Sequence, residues 1–480
     1  MTFRLAIRAL TSRPVRSGVL VCGFGFGIAV MAALLGVGEV ILEQARSPAL
    51  RGGGHVLVSG ATGTLGSARL IASNVFLSPS LAGRAVAFSP SLESRLYLVR
   101  PDRILPIKAR GGIPSLERAI GDPETAGVGV WLDASTDRSW SSPDPGEVLR
   151  AMDRFHPIPK IPSRVDSWAE WLYFNGRSRG TRFYLTFFFG PRNDQGNRLA
   201  GVRLQLDRHG KLATYSDFAE IHEDALLANA PEVAIGQSRV HLEGLRYRVT
   251  LALRSEPEGE SGSRRPPRPL RENEADLIGE LTLDASPGRS LPPVAIHGAG
   301  GWVSGYVVPV LSGRLGGTLR IGDEVINFDN GTGYHDHNWG FWEGVSWQWG
   351  QVAGDGLSIV YGRVRPPGDA ADPARVPGFL AVLGAGGPLG VSADVSIEET
   401  DDPNLGRPRL IVVEARGESL GLRMELDVEG AVRTPLNRGP FGGRLYDSSF
   451  LQLRGPYRVE GRIAGRRVSF SAAGSAETFR

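Results

Sequence analysis

The 480-residue chain carries 54 basic against 51 acidic residues, a formal net charge of +3, with 41% hydrophobic residues. So even a balance excludes a broad nucleic-acid footprint, and the length asks for two or three domains. The single cysteine, Cys22, excludes an internal disulfide, and Gly and Pro, about a fifth of the residues, favour turns and short strands over long helices.

From Gly18 to Gly38 the sequence GVLVCGFGFGIAVMAALLGVG runs 21 residues without a charge, enough to cross a ~30 Å hydrocarbon core. Arg4, Arg8, Arg13 and Arg16 precede it; Glu39 and Glu43 follow. The positive-inside rule then predicts a single-pass membrane protein: residues 1–17 cytoplasmic, the anchor and its helical extension over 18–44, and the body extracytoplasmic. A cleaved signal peptide is the rival, but the apolar core is long for one and no A-x-A site follows. Val21 stands where a lipoprotein needs a small residue, so Cys22 reads as an apolar membrane residue. The segment from Leu5 to Gln44, LAIRALTSRPVRSGVLVCGFGFGIAVMAALLGVGEVILEQ, resembles the first helix of ABC-exporter permeases of the macrolide-exporter and FtsX type. That resemblance implies exporter subunits as partners.

HVLVSGATGTLGSARL follows, with Gly60, Gly63 and Gly66 at a dinucleotide-binding spacing. Glu93 is the only acid near the end of a second strand, and no tyrosine lies four residues before Lys108, Lys160 or Lys211. A nicotinamide is therefore rejected, and no cofactor is expected. Residues 45–155 form a connecting region of short strands and turns whose role no motif gives.

Beyond Ser163 the pattern is β. RFYLTFFFG is an aromatic and aliphatic run over 182–190. Alternating strands flank His209-Gly210, Glu243-Gly244, Gly322-Asp323 and Asp355-Gly356, pairs that favour tight hairpin turns. RLIVVEARGESLGLRMELDV and YRVEGRIAGRRVSFSAAG continue the meander. The strand count exceeds one small barrel, so a first β-domain over 156–345 and a second over 346–480 are expected. The charged, Pro-rich stretches 255–276 and 365–378 read as loops.

GTGYHDHNWGFWEGVSWQWG, from Gly331 to Gly350, gathers two of the eight histidines and four of the nine tryptophans. As a strand it puts His335, His337 and Trp339 on one face and Tyr334, Asp336 and Asn338 on the other. Three readings stay open. The H-x-H pair is a two-ligand metal spacing that lacks a third ligand, which His297 or Glu343 would have to supply. Asp336 or His337 can act as proton donor behind an aromatic wall that stabilises a cation. The group can also be a satisfied structural cluster. In WAEWLYFNG, Trp171 and Tyr173 share a face with Glu170 opposite. That stretch is either a barrel wall with Glu170 paired to an arginine, or part of a cavity.

SWAEWLYFNG (167–176), SGRLGGTLRIGD (312–323) and GTGYHDHNWG followed by SWQWGQV are similar, in order and spacing, to carotenoid 1,2-hydratases, the hydroxyneurosporene synthases. The resemblance covers about residues 155 to 480. It implies two lipocalin-like antiparallel β-barrels and a site built on a histidine and a tryptophan two apart, here His337 and Trp339. It also implies a tyrosine and an aspartate two apart on a later strand. Tyr361 fits the tyrosine, but Arg363 stands where the aspartate belongs and cannot give up a proton. Asp336 is then left as the acid, provided it faces the cavity with a raised pKa.

The expectation is an acid-catalysed hydro-lyase acting on an isoprenoid C=C, with no metal. Asp336, His337, Trp339 and Tyr361 are expected to be catalytic. Tyr334, His335, Glu170, Trp171, Tyr173, Trp347 and Trp349 are expected to line the lipophilic ligand. The alternative is a non-enzymatic protein that binds and delivers such a ligand to an ABC exporter. A pericyclase is a third option.

Overall fold

The computed structural model describes residues 54–59, 67–77, 83–100, 103–122, 132–141, 143–161, 163–208, 210–256, 274–286, 289–435 and 449–479, with positions 14–15, 65 and 270. The expected anchor over 18–38 and the three glycines of the rejected cofactor turn lie outside them. Among the described residues no helix is long and apolar enough to cross a membrane.

The chain divides into two compact units, residues 1–64 with 86–141, and residues 65–85 with 142–480. The first contains an antiparallel hairpin, Ser91–Val99 with Ile104–Gly112, and a short helix, Pro114–Ala119. Arg110 draws Glu117 and the buried Asp122 together at its base.

In the second unit eight strands close into a barrel: β1 (Trp168–Ser178), β2 (Thr181–Arg192), β3 (Asn197–Arg208), β4 (Lys211–His222), β5 (Arg246–Ser255), β6 (Leu277–Asp284), β7 (Val303–Ile321) and β8 (Gly331–Phe341). Each pairs antiparallel with the next in sequence, and β8 returns to β1 from Phe341↔Trp168 to Thr332↔Arg177. The weakest link is β4 to β5, held by Tyr215↔Ser255 and Ser216↔Arg254. Alternation sets what faces inward. Phe183, Leu185, Phe187 and Phe189 are buried at every second position of β2, each contributing ~1.5–3 kcal/mol of apolar burial. Side chains fill the interior. The helix α1 (Pro145–Met152) caps one end with Val148, Leu149 and Met152 buried. It starts at Asp144, whose side chain accepts from the Glu147 amide at 3.0 Å.

Four shorter strands, Val233–Ile235, Ser238–Glu243, Leu291–His297 and Glu324–Asn327, pair onto the barrel, and ten further strands form a second sheet: β9 (Ser346–Gly354), β10 (Leu357–Arg365), β11 (Phe379–Gly384), β12 (Gly387–Ser392), β13 (Asp394–Asp402), β14 (Arg407–Arg416), β15 (Leu420–Asp427), β16 (Gly430–Pro435), β17 (Ser449–Ile463) and β18 (Arg466–Phe479). Its order is β12-β11-β10-β9-β18-β17-β15-β14-β13, with β16 on β17. The two edges, β12 and β13, are separated in sequence by Ala393 alone. Among the described residues no ladder joins them, so the second expected barrel is an open half-barrel. Ser392 sits at that corner, its hydroxyl within hydrogen-bond reach of the Arg416 carbonyl and accepting from the Asp394 amide at 3.0 Å, and β13 runs out along β14.

One face of this sheet holds its own core, including Ile359, Tyr361, Val413, Met424 and Tyr457. The other packs on the outside of the barrel, where Tyr173, Tyr184 and Tyr334 meet Trp349, Val360 and Leu383. Arg177 and Arg182 reach across this seam to the carbonyls of Ala473 and Gly474 at 2.7 and 2.9 Å.

Candidate functional site

The strand β8 carries two separate groups of functional side chains, one on each face. Inside the barrel, His335 and His337 meet Asp153, from the turn after α1. Asp153 Oδ2 lies 3.0 Å from His335 Nε2 and accepts from the Tyr247 hydroxyl at 2.8 Å, while Oδ1 lies 2.9 Å from His337 Nδ1. The other nitrogen of His337 is 3.1 Å from Glu170 Oε1, which also takes the His156 amide and Nδ1, both at 2.8 Å. Arg198 closes the group, donating to Glu170 Oε2 at 3.1 Å and to Glu223. Asp153, Glu170, Arg198, His335 and His337 are all completely buried.

Burial alone would strip the proton from His337. Hydrogen bonds to Asp153 and Glu170 outweigh it and raise the ring to about 9. Burial raises Glu170, but the His156 and His337 hydrogen bonds win and bring it to about 2. Asp153 is likewise held below the ordinary carboxylate range by the two histidines, against its burial. His156 runs the other way: burial lowers it, and its ring stacks on Trp339 at 3.9 Å.

His156, Glu170 and His337 bring three ligand-type atoms within 4.8 Å of one another. The chemistry of that set opposes a cation. Both histidine nitrogens lie within hydrogen-bond distance of Glu170 Oε1, and Arg198 already donates to the other oxygen of Glu170, adding a positive charge beside the set. The H-x-H pair acts through Asp153 and Glu170. His297 and Glu343 are not in this set.

On the outer face of β8 the side chains enter the seam. The Tyr334 hydroxyl is 2.7 Å from Asp336 Oδ2 and 2.7 Å from the Tyr306 hydroxyl, and Trp349 Nε1 donates to Tyr306 at 3.0 Å. Asn338 donates to Asp336 Oδ1 at 2.8 Å. Burial drives the Asp336 carboxyl well above the usual carboxylate range. The charge of Glu477 pushes it the same way, against the Tyr334 and Asn338 hydrogen bonds. Burial raises Glu477 itself to about 7. Among the described residues four polar atoms at this seam are buried without a hydrogen-bond partner: Glu477 Oε1, Gln452 Oε1, Asn175 Nδ2 and the Tyr184 hydroxyl. Beside Asn175, Arg182, Gln351 and Ser475 lies a cavity of about 20 Å³, room for one water.

The expected site residues therefore fall into three places. His335, His337, Trp339 and Glu170 lie in the barrel interior, Glu170 paired with an arginine. Tyr334, Asp336, Tyr173 and Trp349 gather in the seam, with Trp171 and Trp347 continuing the aromatic wall. Tyr361 belongs to neither group. It points into the half-barrel core, its hydroxyl 3.0 Å from that of Tyr457. Arg363 shares that face, at two residues' remove, and donates to the Pro373 carbonyl at 3.4 Å. Asp153, His156, Arg198, Tyr306 and Glu477 were not singled out from the sequence. The D-x-x-H spacing of Asp153 and His156, just ahead of an aromatic strand, was the available sign.

No family model and no curated protein matches the chain. Solved structures do. A protein described as AttH from Nitrosomonas europaea is similar over 68% of this chain and 99% of its own, at 16% identity and a TM-score of 0.42. Kievitone hydratase from Nectria haematococca is similar over 68% and 94%, at 13% identity and 0.39. CghA, in a structure with Sch210972, is similar over 65% and 88%, at 11% identity and 0.40. At these scores the likeness is too loose to carry an activity across.

Proposed function

We propose that the chain is a hydro-lyase that adds water to a C=C bond of a lipophilic substrate at the seam between barrel and half-barrel. The observation that supports it is the pair Asp336, buried, and Glu477, half-buried, two carboxyls with raised pKa among tyrosines and tryptophans. Asp336 is the acid. Its proton passes through the Tyr334 hydroxyl to Tyr306, the half-buried end of the chain of hydroxyls. Tyr306 delivers a proton to one alkene carbon as the π electrons form the C–H bond, Tyr334 reprotonates Tyr306, and Asp336 is left ionised. The faces of Trp347 and Trp349 stabilise the carbocation. Water attacks the cationic carbon, its oxygen forms the C–O bond, and its released proton goes to Glu477. Proton exchange between Glu477 and Asp336 completes the cycle, and the reverse sequence is dehydration. In this reading the substrate is a carotenoid or another isoprenoid, and residues 18–38 hold the enzyme at the membrane where such molecules dissolve, with the body outside the cytoplasm.

The test is incubation of the full chain with lycopene and neurosporene, read by mass spectrometry for the gain of one water. Loss of that product in Asp336→Asn, with the fold intact by circular dichroism, supports the reading. Undiminished hydration in this variant rejects the acid assignment. A second reading rests on the filled barrel interior, where His337 is locked between two carboxylates. There the protein binds a lipophilic molecule and delivers it to an ABC exporter. Retention of the substrate without conversion would favour it.

A further inference from the structure

The geometry points to a carboxylate-binding site inside the barrel, held shut by the chain's own Asp153. This site is separate from the seam and stands whether or not the hydro-lyase reading does. Three completely buried groups converge on one carboxylate: the Tyr247 hydroxyl at 2.8 Å, His335 Nε2 at 3.0 Å and His337 Nδ1 at 2.9 Å. They stand on β5 and β8, which the barrel ladder fixes in place. The carboxylate does not. Asp153 comes from a segment outside the ladder, and among the described residues no main-chain to main-chain hydrogen bond links 143–161 to a barrel strand. Pro157 and Pro159 remove two of the amides that could have formed one.

Every hydrogen bond that crosses from this segment to the barrel uses at least one side chain. Arg150 reaches Glu232 and the Leu242 carbonyl, Arg198 reaches the His156 carbonyl, and Glu170 takes the His156 amide. The three partner groups are built into the wall, while the carboxylate is carried on a removable plug.

The surroundings define the ligand. Phe174 stacks on His335 at 4.0 Å, and Phe155 packs edge-on against Phe189 and His337 at 4.8 and 5.3 Å. On the plug, Met152 and Phe155 flank Asp153 and are buried in the same apolar core. A carboxylate next to apolar bulk is what the plug presents. A molecule with a carboxylate at the end of an apolar chain offers the same pattern, and its entry displaces residues 152–156. The plug is thus an internal competitor for that ligand.

The decisive variant is Asp153→Ala in the full chain, which removes the carboxylate and leaves its three partners. Formate is expected to raise the Tm of the variant saturably, with chloride at equal concentration inert and the wild type unresponsive to either. Dodecanoate is expected to bind the variant at least about tenfold more tightly than the wild type, the worth of one charge-assisted hydrogen bond. A variant that responds to formate no better than to chloride overturns the proposal, as does dodecanol binding as well as dodecanoate. Should Asp153→Ala fail to fold, refolding in formate decides. Recovery with formate but not chloride supports the site, and recovery in neither rejects it.

Discussion

A carboxyl group sealed among phenols and indoles keeps its proton because the charged form has lost water and gained little in return. Asp336 is in that position, and Glu477, at about 7, is poised to change charge near neutrality. If Glu477 accepts the proton released by water, it must be ionised. Turnover should then rise with pH through about 7 and fall again once Asp336 ionises. A pH–rate profile checks this, and Glu477→Gln should erase the rising limb. Asp336→Asn should slow turnover by about 10²–10⁴-fold, the usual share of a general acid. The buried Arg198 obeys a different rule. Arg198→Met removes the cation between Glu170 and Glu223, leaving His337 on the one and Arg192 on the other, and should cost about 3–5 kcal/mol. Urea denaturation measures that loss, and a value under about 1 kcal/mol would place the pair in the class of solvated ion pairs.

Strands are where sequence and structure meet most closely here. Period-two burial and tight turns are local properties, so the hairpin that pairs Arg208 with Lys211, those at 322–323 and 355–356, and the two faces of β8 were legible residue by residue. The partners of β8 were not. Asp153 lies 182 residues from His335 and Glu170 lies 167 from His337, separations that no local pattern spans. Nor does alternation say whether a sheet closes. Barrel closure depends on β8 finding β1, and opening of the second sheet depends on how one corner at Ser392 is pinned. Pairing between β7 and β8 carries a sharper constraint. Gly305 lies opposite Trp339, and a Cβ there would meet the indole at 2.0 Å. Gly305→Ala should therefore push Trp339 off His156 and destabilise the fold by about 1–3 kcal/mol, seen as a lower Tm with altered tryptophan fluorescence.

Across the whole molecule the barrel's ion group sets a pH window for stability. His337 is raised from 6.5 to about 9 on folding, so its contribution is complete below 6.5 and drains away as pH climbs through 9. Glu170 is lowered from 4.5 to about 2, so its contribution is complete above 4.5 and is lost as pH falls through 2. Both are present in full only between those limits, and Tm should peak there. A Tm unchanged from pH 6.5 to 9 would contradict the charged state of His337. The open sheet adds a consequence of another kind. A barrel has no free edge, but among the described residues β13 is paired on one side only, over nine residues, and Asp394, Glu398, Glu399, Asp401 and Asp402 all lie on it. An uncovered strand is a template on which another copy can add. Those acids make two such edges repel each other at neutral pH, so pairing of copies edge to edge should be restrained by charge and should appear, as a rise in light scattering, once the acids are neutralised.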